Sequence, residues 1–151
     1  MTTEALLAYL HFAAILTLVV FMSSEAALCR SEWLNADVVR RLVRVDAIYG
    51  AASAAVLLTG VARTLWGMKG AGWFWSQPLL WTKLGLFVVI GLLSIKPTLA
   101  FLRWRKTLEA SGALPPPDEV RAIRRIVMIE AHLLVLIPLA AVFLARGIGV
   151  R

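Results

Sequence analysis

An all-α bundle of four membrane-spanning helices is the fold this sequence predicts, and three observations predict it. Of the 151 residues, 60% are hydrophobic and the mean hydropathy is +0.80, well above the usual composition of a soluble domain. The apolar residues gather into four stretches, about 5–28, 46–66, 79–102 and 126–146, each near the ~20 residues a helix needs to cross ~30 Å of hydrocarbon. The short alternating segments and strong turn signals of a transmembrane barrel are missing. A single transmembrane domain over 1–151 is expected.

The first stretch follows Met1-Thr2-Thr3-Glu4, which offers no basic n-region, and its apolar run is too long for a signal core; it reads as a retained helix. Cys29 behind it is the only cysteine, so neither an intrachain disulfide, a CxxC redox pair nor a covalently attached c-type haem is expected. The second stretch is approached through a basic amphipathic turn, about 36–45, capped by Asn35 or Asp37 and running Val38-Val39-Arg40-Arg41-Leu42-Val43-Arg44. A glycine- and tryptophan-rich segment, Trp66 to Trp81, leads into the third stretch and suits an aromatic belt or a lid at the headgroup level. The fourth follows a proline run that predicts a flexible loop at roughly 107–117, with Asp118 as cap of a second amphipathic turn, about 118–125. Pro97 and Pro138 fall inside spans, where proline is common.

The net charge of +7 is explained by topology rather than by nucleic acid. Arg30, Arg40, Arg41, Arg44, Arg103, Arg105, Lys106, Arg121, Arg124 and Arg125 gather on one side, against Arg63, Lys69, Arg146 and Arg151 on the other. The positive-inside rule places both basic loops in the cytoplasm, in contact with anionic headgroups, and both termini outside. The two amphipathic turns also match each other: Arg40-Arg41-Leu42-Val43-Arg44-Val45-Asp46-Ala47 parallels Arg124-Arg125-Ile126-Val127-Met128-Ile129-Glu130-Ala131. A parallel repeat of two hairpins would place a site where the halves meet.

Charges within spans are costly by roughly 2.5–3.5 kcal/mol and usually face the bundle interior or a wet cavity. Depth sorts those present. His11, Arg63 and Lys83 fall near the outer boundary, His11 and Lys83 about 6–9 Å below it at ~1.5 Å per residue. Glu25, Asp46, Tyr49, Lys96, Glu130 and His132 form an inner group, with ion pairs expected between Glu25 or Glu130 and Lys96. Tyr49, Ser53, Gly60 and Arg63 share one face of the second helix. His11 and His132 stand more than ~10 Å apart in level, so they do not share one iron. Walker, dinucleotide, HExxH and GxSxG motifs are absent, and two histidines with one cysteine are too few for a zinc or copper centre.

Leu10-His11-Phe12, Arg44-Val45-Asp46-Ala47-Ile48-Tyr49-Gly50, Gly67-Met68-Lys69-Gly70-Ala71-Gly72, Trp81-Thr82-Lys83-Leu84-Gly85-Leu86-Phe87, Leu93-Ser94-Ile95-Lys96-Pro97-Thr98 and Ala145-Arg146-Gly147-Ile148-Gly149 resemble a family of bacterial four-helix membrane proteins of unknown function. That resemblance implies the bacterial inner membrane. More distantly, the early Leu-His and the Trp-x-Lys-Leu that opens the third span are similar to the small membrane protoporphyrinogen IX oxidases and to copper-resistance membrane proteins. The likeness to the oxidases implies b-type haem or another porphyrin at His11, as possible iron ligand, with Lys83. The further histidine that the oxidases carry in a Tyr-His pair is absent, and Ser94-Ile95-Lys96-Pro97 stands there.

Two functions remain. One is a haem- or porphyrin-binding membrane redox protein using His11, Lys83 and Arg63, with the tryptophan segment over the ring. The other is a non-enzymatic membrane protein, either a subunit of a larger complex or a small oligomeric carrier or channel, whose inner charges are structural or conduct protons. Small-residue faces such as Gly50, Ala51, Ser53, Ala54 and Ala55 permit the close packing that homo-oligomerisation uses.

Overall fold

The computed structural model describes residues 2–66, 72 and 75–146, and among them it contains four long helices and no strand. These are α1 (Thr2–Leu28), α2 (Ala36–Trp66), α3 (Pro78–Ser111) and α4 (Pro117–Ala145). All four are long and apolar enough to cross a membrane. The Gly-rich part of the tryptophan segment, including Lys69, lies outside the described residues, as does Arg151.

The two basic amphipathic turns are helical. Each is the first part of a continuous helix that runs on into the apolar span. Asn35 caps α2, its Oδ1 accepting the Val38 N–H at 3.0 Å, while Asp37 lies inside the first turn and pairs with Arg40 at 3.0 Å. Asp118 is likewise no cap. It sits in the first turn of α4 beside Glu119 and pairs with Arg121, where negative charge complements the helix N-terminus.

The loop expected at 107–117 shrinks to 112–116, because α3 continues to Ser111. The cause is packing. Trp104 and Leu108 extend the buried stripe of Phe101 along α3, opposite Val120, Ile123 and Val127 of α4. Glu119 fixes the register, accepting hydrogen bonds from Trp104 Nε1 at 2.8 Å and from Arg103. Gly112 ends the helix with φ 69 and donates its N–H to the Leu108 carbonyl at 2.8 Å; glycine adopts this left-handed conformation without a Cβ penalty.

The chain packs as two hairpins, α1 along α2 and α3 along α4. Smaller α2–α3 and α1–α4 contacts join them, so that α1 and α3 stand diagonally, as do α2 and α4. The continuous core lies at the end of the bundle that carries the basic residues. There Leu18, Met22 and Cys29 of α1 meet Val39, Leu42 and Val43 of α2 and the α3 and α4 stripes. In the apolar half, large side chains such as Leu16, Leu58, Leu92 and Val135 point outward. Water drives apolar burial only at the polar end, whereas in hydrocarbon an outward leucine already has an apolar solvent.

α1 is the shortest helix and stops inside this end. Arg124 of α4 takes a carbonyl of its last turn and the one just past it, its Nη1 donating to Ala26 O at 2.7 Å and to Cys29 O at 3.2 Å. The Cys29 thiol is buried beside them. Burial first, and then Glu25, push that thiol from 9.0 up to about 12, against a smaller opposing effect of Arg124.

Candidate functional site

The inner group is a cluster of carboxyls. Glu25 of α1 is 2% exposed, Asp46 of α2 is 7% and Glu130 of α4 is 1%. Each occupies a position in the inward stripe of its helix: Leu18, Met22, Glu25 and Cys29; Val39, Leu42, Val43, Asp46 and Tyr49; Val120, Ile123, Val127 and Glu130. These spacings of three and four are those of a core-facing helix surface. The three acids therefore converge.

Glu25 lies within electrostatic reach of both Asp46 and Glu130, and Glu130 within reach of Asp46, with the Tyr49 hydroxyl beside Glu130. Thr98 of α3 donates to Asp46 Oδ1 at 2.8 Å. Glu25 Oε2 and Glu130 Oε1 are buried without any hydrogen-bond partner.

Among the described residues, no cation joins them. The expected pairing with Lys96 does not form, because Lys96 is exposed while its neighbour Pro97 is buried; adjacent residues on a helix point about 100° apart. His132 is also exposed, and its Nδ1 contacts the Met128 carbonyl of its own helix. Arg124 is occupied by the α1 carbonyls. Among the described residues, the ion pairs are Arg40–Asp37, Arg103–Glu119, Arg105–Glu109 and Arg121–Asp118, all outside the cluster. The same residues hold no group of three His, Cys, Asp or Glu set to take a metal ion.

Asp46 and Tyr49 also line a cavity of about 320 Å³ between α2 and α3, with Ser53, Ser94 and Thr98 as its other polar residues. Ala47, Gly50 and Gly91, on the same lining, are exposed at the bundle surface. The cavity is thus a cleft that opens sideways from the acids.

The outer group gathers at the opposite level. His11, on the same stripe of α1 as Leu18, lies within electrostatic reach of Arg63 and Lys83, and all three are half-buried. The His11 ring is held by Thr59 of α2, Nδ1 to Oγ1 at 2.8 Å, and the Thr59 hydroxyl in turn donates to the Ala55 carbonyl at 2.6 Å. Since that hydroxyl has one proton, Nδ1 is the donor toward it, and a neutral ring then carries its lone pair on Nε2. Gly60 permits this approach: a Cβ there would lie 3.3 Å from His11 Cε1. At the helix ends nearby, the Trp75 and Trp81 rings meet edge to face at 5.5 Å, with Trp81 Nε1 donating to Trp75 O at 3.1 Å.

Thr59 and Thr98 had no signal beyond being polar within a span, and Arg124 looked like one headgroup arginine among several. Four long apolar helices with ionisable residues buried at two levels define an integral membrane protein of the four-helix kind. The chain belongs to the family described as predicted membrane protein (DUF2214), whose model matches residues 3–149. No curated protein and no solved structure matches it.

Proposed function

We propose that this is a small proton-linked membrane carrier, working as an oligomer, in which Glu25, Asp46 and Glu130 take up and release protons. The observation that carries the reading is the pair of orphaned oxygens, Glu25 Oε2 and Glu130 Oε1, in fully buried side chains with no cation beside them. An unpaired buried charge is neutralised by a proton or by a mobile cation. A purely structural acid would be better replaced by an apolar side chain, so acids retained in this form belong to a pathway by default. With the basic loops in the cytoplasm, the cluster lies in the cytoplasmic half of a bundle set in the bacterial inner membrane. Four helices leave little room for alternating access within one chain, which is why assembly is part of the proposal. The test is proton movement into proteoliposomes after a pH jump. Glu25→Gln and Glu130→Gln each abolish it; a wild-type rate equal to that of protein-free vesicles defeats the reading.

A second reading is favoured by the His11 ring, which Thr59 holds through Nδ1. Orienting a histidine through its other ring nitrogen is how metal-binding imidazoles are commonly held. The iron of haem b would take Nε2, and Arg63 and Lys83, within electrostatic reach of His11, would balance propionates; bound haem would supply one-electron transfer. Protein purified in detergent from haem-replete cells would show a Soret band that disappears in His11→Ala, and colourless protein would sink this reading alone.

A further inference from the structure

Resting on the reading of the carboxyl cluster, we propose that the cleft between α2 and α3 binds an organic cation, an ammonium group with N–H donors carried on an apolar body. The polar wall of the cleft is made of acceptors. Asp46, Tyr49, Ser53, Ser94 and Thr98 line it, no Lys or Arg does, and the unpartnered oxygens of Glu25 and Glu130 belong to the same electrostatic cluster as Asp46. The rest of the lining includes the apolar side chains of Leu18, Phe87, Ile90 and Leu134.

An anion would meet the Asp46 carboxyl there, and a neutral apolar molecule would leave the acceptors unsatisfied, at a cost that falls on binding. A bare metal ion lacks three ligands within reach of one another among the described residues. An ammonium on an apolar stem satisfies both the polar and the apolar part of the lining. The size is that of a small-molecule site, whose usual range begins near ~300 Å³.

Access is lateral. A Cβ added at Gly50 or at Gly91 would meet nothing within 4 Å, so the backbone of α2 and α3 is open on the side that faces lipid. The cation can therefore arrive from the bilayer, either as a free amphiphilic amine or as the amino headgroup of a phospholipid. Because cation and proton compete for the Asp46 carboxyl, binding one expels the other. That competition supplies the coupling a proton-linked carrier needs.

The test uses full-length protein in phosphatidylcholine nanodiscs and titration calorimetry with 1-naphthylmethylammonium, 1-naphthylacetate and the neutral 1-naphthylmethanol. The ammonium alone binds, with proton release that appears when buffers of different ionisation enthalpy are compared. Asp46→Asn weakens it by roughly tenfold to a hundredfold, the loss expected for one charge-assisted hydrogen bond. Gly91→Leu, which fills the cleft without touching an acid, blocks it. Adding phosphatidylethanolamine to the discs separates the sources: competition identifies a lipid amine, and unchanged affinity identifies a free one. Equal binding of the neutral alcohol, or wild-type affinity in both variants, overturns the proposal. So does failure of the ammonium to bind, and if proton movement into proteoliposomes still depends on Glu25 and Glu130, the cation proposal falls alone.

Discussion

Replacing Glu130 by methionine separates a functional acid from a structural one. If Glu130 were half of a buried ion pair, its removal would strand a charge and cost about 3–5 kcal/mol. The structure gives a different balance. Glu130 is 1% exposed and its Oε1 has no partner, so the wild type carries the penalty of one buried unsatisfied acceptor, about 1–3 kcal/mol. Methionine is of similar length, adapts to irregular space, and removes that penalty. Against this, the Tyr49 hydroxyl loses its neighbour, at about 0.5–1.5 kcal/mol for one hydrogen bond. The net expectation for Glu130→Met is a change between about zero and a gain of ~2 kcal/mol, together with complete loss of proton movement. Equilibrium unfolding in mixed detergent micelles measures the first and proteoliposome flux the second. A destabilisation of ~3 kcal/mol or more would refute the reasoning, since it means that a cation reaches Glu130 in the native bundle.

Lys96→Ala should leave stability within about 0.5 kcal/mol of wild type, and a double-mutant cycle with Glu130→Gln should give no coupling; a coupling above ~1 kcal/mol restores the ion pair. Arg124→Ala should cost roughly 2–4 kcal/mol in the same unfolding assay, because two α1 carbonyls lose a charged donor, whereas exposed Arg125→Ala is silent. Thr59→Ala should release the His11 ring, seen as a shift in its imidazole NMR resonances, while Thr82→Ala on exposed α3 surface leaves them in place. For Cys29 the folded thiol stands above its unfolded value, so its stabilising contribution is complete below 9.0 and is lost as pH rises toward about 12. Maleimide at neutral pH should accordingly label unfolded protein much faster than folded, and equal rates in the two states contradict the burial.

The fold was legible because hydropathy measures what a bilayer selects. Length and apolarity placed four helices, and the charge asymmetry marked one end as different. The site was legible in depth but not in phase. Grouping by rise along the helix brought Glu25, Asp46, Tyr49 and Glu130 to one level, and it also admitted Lys96 and His132. Helix rotation separates them: His132 is two residues, or about 200°, from Glu130, and so faces away from the stripe of Val120, Ile123 and Val127. That phase was present in the spacing of the apolar residues at the basic end, where burial follows a 3.6-residue period. In the lipid-facing half every side of the helix is apolar and the period fades. Thr59, by contrast, could not have been picked out, since a threonine bonding its own helix backbone and one holding a histidine look the same in sequence.

The position of the acids within the core follows from the same difference between the two halves. Side chains in hydrocarbon gain little by turning inward, so the apolar half has no hydrophobic surplus with which to offset an unpaired carboxyl. The basic end does, because Phe101, Met22, Val39, Val120 and Val127 are all removed from water there, each by roughly 1.5–3 kcal/mol for a fully buried side chain of this kind. Glu25, Asp46 and Glu130 stand at the inner edge of that packing, one to each of three stripes that continue toward the basic end. Weakening the adjacent core should therefore unsettle the cluster before it unsettles the spans. Val127→Ala, one helical turn from Glu130, is the sensitive position: its cost of about 1–3 kcal/mol should appear together with altered proton movement. Leu92→Ala, on the outward face of α3, should leave both unchanged. If Leu92→Ala disturbs flux as much as Val127→Ala does, the acids depend on the lipid-facing surface rather than on the core that holds them.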